Sequence, residues 1–112
     1  IDETHPDWPA LRRYHLHEFR NRPFEYHNGG IWPIWLGWLA LALAHTGRDT
    51  ALQQLRALVN ARLATLPDYG FEEYFHGATG ESLGTPQMAY SATGLVFLDR
   101  ATEPGTRALF AT

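Results

Sequence analysis

The chain has 112 residues, the length of one small domain, so a complete multidomain enzyme is excluded. Hydrophobic residues make up 45% and charged residues 19%, with a formal net charge of -3, which is a folded, mildly acidic composition without the electrostatic footprint of a nucleic-acid or anionic-membrane partner. There is no cysteine, so disulfides, thiolate chemistry and cysteine-ligated metals are ruled out and the fold rests on packing.

All nine basic residues are arginine, a usage that fits a GC-rich genome better than a function. The chain begins at Ile1 with neither a charged n-region nor an apolar h-region, and the expectation is a piece of a longer, cytoplasmic protein.

Residues 1–30 form a loop-rich opening segment, broken by Pro6, Pro9, Pro23, Asn28, Gly29 and Gly30. A short helix over Ala10 to Arg20 is the one element expected there. The stretch Ile31 to Ala44, IWPIWLGWLALALA, carries no charge over 14 residues. A membrane span needs about 20 apolar residues, and His45, Thr46, Gly47, Arg48 and Asp49 arrive too soon, so the run reads as a buried helix apolar on every side. It starts at Trp32 or Pro33, where a missing N–H costs nothing, and ends at Gly47 as a left-handed C-cap. A second helix follows from Arg48 or Asp49, with Leu52, Leu55, Leu58, Val59 and Leu63 at three- and four-residue spacing, until Pro67 stops it.

A glycine-rich loop over 67–85 contains Gly70, Gly77, Gly80 and Gly84. A third helix is expected with Thr85 as N-cap and Pro86 in its first turn, running to about Ala101. The tail over 102–112 has no clear period. Three helices, one of them apolar all round, cannot bury that surface among themselves, so the partner helices come from further polypeptide or from other subunits.

Three groups of residues invite a chemical reading. In YHNGGIWP, residues 26–33, Tyr26, His27 and Asn28 precede a Gly-Gly turn into a helix start, and polar groups beside a flat ring suit a polyhydroxylated ligand. The plainer alternative is that His27 and Asn28 cap the helix while the glycines allow a sharp turn. Trp32, Trp35 and Trp38 recur every three residues as a stripe, with Trp35 and Trp38 expected in the core and Trp32 open to either role. Glu72 and Glu73 are adjacent, so on extended backbone they point to opposite sides and at most one faces a given cleft. An inverting glycosidase needs its two carboxyl groups roughly 6.5 to 9.5 Å apart, which neighbours do not supply across a sugar ring. If one of them is the base, the acid lies elsewhere. His5, His15 and His17 have no carboxylate at ligand spacing, so neither a metal nor a cofactor is expected, and no phosphate loop, nucleophile elbow or nucleotide fingerprint is present.

Taken in order, YHNGGIWP, an apolar helix, the turn TGR, a second helix, FEEYFHGATGESLG and a helix near TPQMAYSATG resemble the C-terminal part of six-hairpin α/α-barrel glycoside hydrolases. The layout is similar to the alkaline and neutral invertases, the mannosylglycerate hydrolase-like enzymes, and the glucosidases related to glycogen debranching enzyme and trehalase. The resemblance covers roughly residues 23 to 100 and implies an all-α fragment of an (α/α)6 barrel, with about three main helices, its hairpins over 31–101. It implies an inverting mechanism whose general base, in register with Thr79-Gly80, is Glu73, with Tyr26, His27, Asn28 and Trp32 lining the sugar pocket. Where this chain has His76 the family usually has aspartate or asparagine. The family's general acid is an upstream aspartate with no counterpart at Asp2 or Asp7, so the partners implied are a small carbohydrate and the remainder of a barrel. Two other functions compete: a noncatalytic helical module that binds carbohydrate or protein, and a sugar isomerase or epimerase, which would need His and Glu placements not found here.

Overall fold

The computed structural model of the chain describes residues 1–13, 18–67, 70 and 72–109. Five helices occur among them: α1 (Trp8–Arg13), α2 (Pro33–His45), α3 (Asp49–Leu63), α4 (Ala89–Arg100) and α5 (Pro104–Leu109). Between α3 and α4 lies a two-stranded antiparallel hairpin, β1 (Tyr74–Phe75) and β2 (Ser82–Leu83). Its register pairs Tyr74 with Leu83 and Phe75 with Ser82.

α2 begins with Pro33 at its first position and ends as the Gly47 reading requires. Gly47 has φ +68, and the N–H of Arg48 donates to the carbonyl of Leu43 at 2.8 Å, the six-to-one bond of a left-handed C-cap. The chain then enters α3 at once, and the α2–α3 hairpin buries Ala40, Leu41, Ala44, Leu52 and Val59 in one cluster with Leu98 and Ala101 from the α4 end. Arg56 of α3 reaches across to donate to the carbonyls of Leu98, at 3.1 Å, and Asp99, at 2.7 Å. A cation is thereby placed on the last carbonyls of α4, where the helix dipole favours it.

The closest helix pair is α2 with α4, and two glycines permit it. A Cβ on Gly37 would lie 2.3 Å from the carbonyl oxygen of Gly94, and one on Gly94 would lie 2.2 Å from the carbonyl oxygen of Pro33. The two backbones therefore touch directly at the start of α2, which is also where the segment over 26–32 arrives.

Several expectations are corrected. Trp35 and Trp38 are 60% and 43% exposed, whereas Trp32 is buried. α2 packs α4 on one side and α3 on another, which leaves Trp35 and Leu39 exposed and Trp38 only partly covered, against Phe97 of α4. On α3, Leu52 and Val59 are buried but Leu58 is exposed, because the apolar stripe is wider than the surface offered to it. The expected helix over Ala10 to Arg20 is Trp8–Arg13, with residues 14–17 outside the described residues and Glu18 to Arg20 not helical. α4 starts at Ala89 behind Met88, not at Thr85, since Gln87 takes φ +54 and the donors of Thr85 are used elsewhere. The hairpin and α5 were not expected: the strands are two residues long, too short for an alternating pattern, and α5 is a six-residue helix opened by Pro104.

The radius of gyration is 16.0 Å, against about 13 Å for a compact domain of this length. Among the described residues no helix is long and apolar enough to cross a membrane.

Gly94→Ala places a methyl group against the Pro33 carbonyl and is expected to destabilise the full-length protein by about 1–3 kcal/mol. Gly105→Ala, with nothing within 4 Å of the new methyl, is expected to leave stability close to wild type. Thermal unfolding of the two variants checks the contrast.

Candidate functional site

The hairpin is held from three sides. Ile31 and Phe75 exchange both backbone hydrogen bonds at 2.8 Å, so the strand that carries Glu73 forward is paired with the residue just before Trp32. The buried hydroxyl of Ser91 on α4 donates to the carbonyls of Glu72, at 2.7 Å, and Glu73, at 3.2 Å. From α3, Arg62 donates to the Ser82 hydroxyl and lays its guanidinium 5.2 Å from the Phe75 ring centre, a cation–π contact.

The turn at the hairpin tip explains His76. Its Nδ1 accepts from the N–H groups of Ala78 and Thr79, both at 3.2 Å, while its own carbonyl accepts from Gly80. That is the service an aspartate or asparagine oxygen performs in an Asx turn, so the imidazole nitrogen acts here as an Asx-type acceptor. The Gly77 N–H donates to the Phe24 carbonyl at 2.8 Å, joining the tip to the 24–29 loop.

Glu73 is 6% exposed. Its Oε2 accepts from the backbone N–H of Thr85 at 3.0 Å and from the Thr85 hydroxyl at 3.2 Å. Gly84, at φ +83, makes room: a Cβ there would lie 2.5 Å from that same oxygen. Among the described residues no hydrogen bond reaches Oε1. Tyr74, Gly84 and Thr85, the groups around Glu73, line a polar hollow of about 350 Å³ with Glu18, Phe19, Arg20, Arg22 and Glu25 on its other walls. This volume falls in the range of small-ligand sites.

Tyr26, His27 and Trp32 are brought together with Tyr74. The Trp32 ring is stacked with His27 at 5.1 Å and with Tyr74 at 5.4 Å, and Tyr26 meets both Trp32 and Tyr74 edge-on. Trp32 Nε1 donates to the Tyr26 carbonyl at 3.0 Å, and the Gly30 N–H donates to the same oxygen at 3.1 Å. These bonds hold Tyr26 at φ +43, a left-handed conformation that costs a side-chain-bearing residue about 1–2 kcal/mol. Asn28 is occupied structurally: its amide donates to the carbonyls of Asn21 and Ile1, and its oxygen accepts from the N-terminal amine. Neither His27 nor Asn28 caps α2, whose N-cap residue Trp32 makes no side-chain bond there.

His27 and Asn28 line a second hollow, with Pro23, Phe24, Gly29 and the N-terminus, separate from the one beside Thr85. Glu73 is thus joined to Tyr26 and Trp32 through Tyr74, while His27 and Asn28 line the other hollow. Thr85, Ser91 and Tyr74 were not read as site residues. Only the Gly84-Thr85 pair, a glycine before a hydroxyl residue, carried a signal, and it was taken for a helix start. His5 forms a local turn with Asp7, and His15 and His17 lie outside the described residues.

The Tyr74 hydroxyl is pushed above the ordinary tyrosine value, first by burial and then by the charges of Glu25 and Glu73, against a smaller pull from Arg20 and the Tyr26 backbone.

Comparison with known proteins bears on this arrangement. A family model described as alkaline and neutral invertase matches residues 8–100. Probable alkaline/neutral invertase F of Arabidopsis thaliana is 40% identical over 65 residues, covering 58% of this chain and 12% of that protein. Cytosolic invertase 1 of Oryza sativa subsp. japonica is 38% identical over 85 residues, covering 69% of this chain and 14% of that protein. Glucosylglycerate hydrolase of Mycolicibacterium hassiacum is 35% identical over 75 residues, covering 67% of this chain and 16% of that protein. The chain thus spans 12 to 16% of the length of these relatives. Their names place them in more than one compartment, since another rice relative is called mitochondrial. No solved structure matches.

The raised Tyr74 value carries a pH consequence. The folded state holds this proton more tightly than the unfolded chain, so the stability it contributes is present below the ordinary tyrosine value of about 10 and is lost as pH rises through the folded value. Tyr74→Phe is expected to remove that part of the alkaline loss. Thermal unfolding of the full-length protein from about pH 8 to 11 measures it, and parallel curves for the variant and the wild type would contradict the assignment.

Proposed function

Because the chain belongs to the alkaline and neutral invertase family, we propose that it supplies the general base, Glu73, of an inverting glycoside hydrolase acting on a small glycoside. The observation that carries this reading is the state of one carboxylate. Glu73 is buried beside Tyr74, Gly84 and Thr85, three residues that line a polar hollow, and among the described residues one of its oxygens is bonded twice to Thr85 while the other receives no hydrogen bond. A base needs its accepting oxygen free and its other contacts fixed, because a proton is transferred efficiently only within hydrogen-bond reach of a well-placed group.

In the proposed reaction a water held at Oε1 attacks the anomeric carbon. Its proton passes to Glu73, the glycosidic carbon–oxygen bond breaks on the opposite face, and the departing oxygen takes a proton from a carboxylic acid outside these residues. The chain's part is to place the water and accept its proton. Tyr26 and Trp32 shape the wall next to Glu73 through Tyr74, with Trp32 working as a support since its ring is buried among the others. His27, whose side chain is exposed, remains available to a sugar hydroxyl, and Asn28 fixes the loop that presents it.

The names of the relatives, invertases and a glucosylglycerate hydrolase, support a glycoside as substrate and favour the enzyme over a noncatalytic module. A cytoplasmic place of action rests on the same footing, through the relative named cytosolic. The partners in this proposal are the carbohydrate and the rest of an α/α barrel, with neither nucleic acid nor membrane.

In the full-length protein, Glu73→Gln keeps the shape of the side chain and removes the base. Hydrolysis of the glycoside substrate is expected to fall by about 10²- to 10⁴-fold, with circular dichroism unchanged. Near-normal turnover by this variant would overturn the proposal.

A further inference from the structure

The sequence places Thr85 at the start of a helix, but α4 begins four residues later and its N-cap residue is Met88. The two donors of Thr85, backbone N–H and side-chain hydroxyl, converge on a single atom, Glu73 Oε2. Gly84 brings them there: its φ of +83 turns the chain back, and its lack of a Cβ lets the backbone pass against the carboxylate. Thr85 also lines the polar hollow, so the clamp and the cavity share a wall.

Two donors on one oxygen have consequences for the other. They fix the rotation of the carboxylate, since hydrogen bonds to a charged acceptor are roughly twice as strong as neutral ones. We infer that Thr85 is the positioning residue of the Glu73 base, anchoring Oε2 so that Oε1 is the oxygen that takes the proton from water. This rests on the reading of Glu73 as base.

Among the described residues the ionisable groups around the clamp are Tyr74, Glu18, Glu25, Arg20 and Arg22, which line the same hollow, together with Glu72 beside Glu73 in the chain. α4 faces the clamp with the uncharged Ser91, residues 82–85 bring no charge, and Arg62 lies behind the second strand at Ser82. None of these changes when Thr85 is replaced, so a loss in kcat reports on the clamp itself.

The test uses the full-length protein and its glycoside substrate, with Thr85→Val, Thr85→Ser and Glu73→Gln measured side by side. Thr85→Val removes the hydroxyl donor at nearly constant shape. It is expected to lower kcat by about tenfold with KM little changed, because the base loses a contact that orients it and the substrate loses none. Thr85→Ser restores the donor and is expected to return kcat toward wild type. Wild-type kcat in Thr85→Val, or a loss confined to KM, beside an inactive Glu73→Gln, would overturn the clamp while leaving the base intact. An active Glu73→Gln would instead remove the base on which the inference stands. Should Thr85→Val fail to fold, Thr85→Ala removes the same donor and is read by the same two criteria.

Discussion

One turn of α4 determines how the two halves of the candidate site meet. Ser91 and Gly94, three residues apart on one helix face, do different work at the same level. The buried Ser91 hydroxyl fixes the carbonyls of Glu72 and Glu73, and Gly94 lets the start of α2 lie directly on the helix backbone. Glu73 is thereby tied to α4 by a hydrogen bond, and Trp32, one residue before α2, is tied to it by packing. Neither contact tolerates a shift along the helix: a one-residue slip would put Gly94 out of register with Pro33 and leave the Glu72 and Glu73 carbonyls without their donor, at about 1–3 kcal/mol for each buried group left unpaired.

The strain in the 24–31 segment is intelligible on that basis. Phe24 and Tyr26 both have positive φ, at 66 and 43 degrees, which side chains adopt only when the surroundings over-determine them. Here the surroundings are specific: the Phe24 N–H donates to the Asn28 carbonyl, the Tyr26 carbonyl accepts twice, and Ile31 pairs with Phe75. The result is an aromatic group of Tyr26, Trp32 and Tyr74 leaning on the strand that starts one residue after the carboxylate. What α4 does not organise is left uncovered. Trp35 and Leu39 on α2, and Leu58 on α3, present exposed apolar surface, as expected of a portion of a larger α/α barrel, while Trp38 stays 43% exposed although its ring meets Phe97 of α4 edge-on.

The helical part of this fold was largely legible in the sequence, because its signals are local. A charge-free run, a proline in the first turn and a glycine at the C-cap are sufficient to locate α2, and leucines at helical spacing to locate α3. The candidate carboxylate was legible through its resemblance to a family motif. The parts that were not legible depend on contacts distant in sequence. The hairpin exists because Ile31, Ser91 and Arg62 hold it, and its two-residue strands have no period of their own. Thr85 carries the local signature of an N-cap, yet its donors serve an acceptor twelve residues earlier. The tryptophan stripe is visible in the sequence, but which of its members is buried depends on where Gly94 allows α2 to sit. His76 departs from the family pattern as a residue type, and its role as a turn acceptor follows from two N–H groups, of Ala78 and Thr79, that only the folded tip brings to its Nδ1.

The most direct measurement is a crystal structure of the full-length Glu73→Gln protein with its glycoside bound. The account predicts that residue 73 keeps one side-chain position on Thr85 and that the other faces a water on the side of the anomeric carbon away from the departing group. A side chain turned from the sugar, with the reacting carbon nowhere near the wall formed by Tyr74, Gly84 and Thr85, would contradict it.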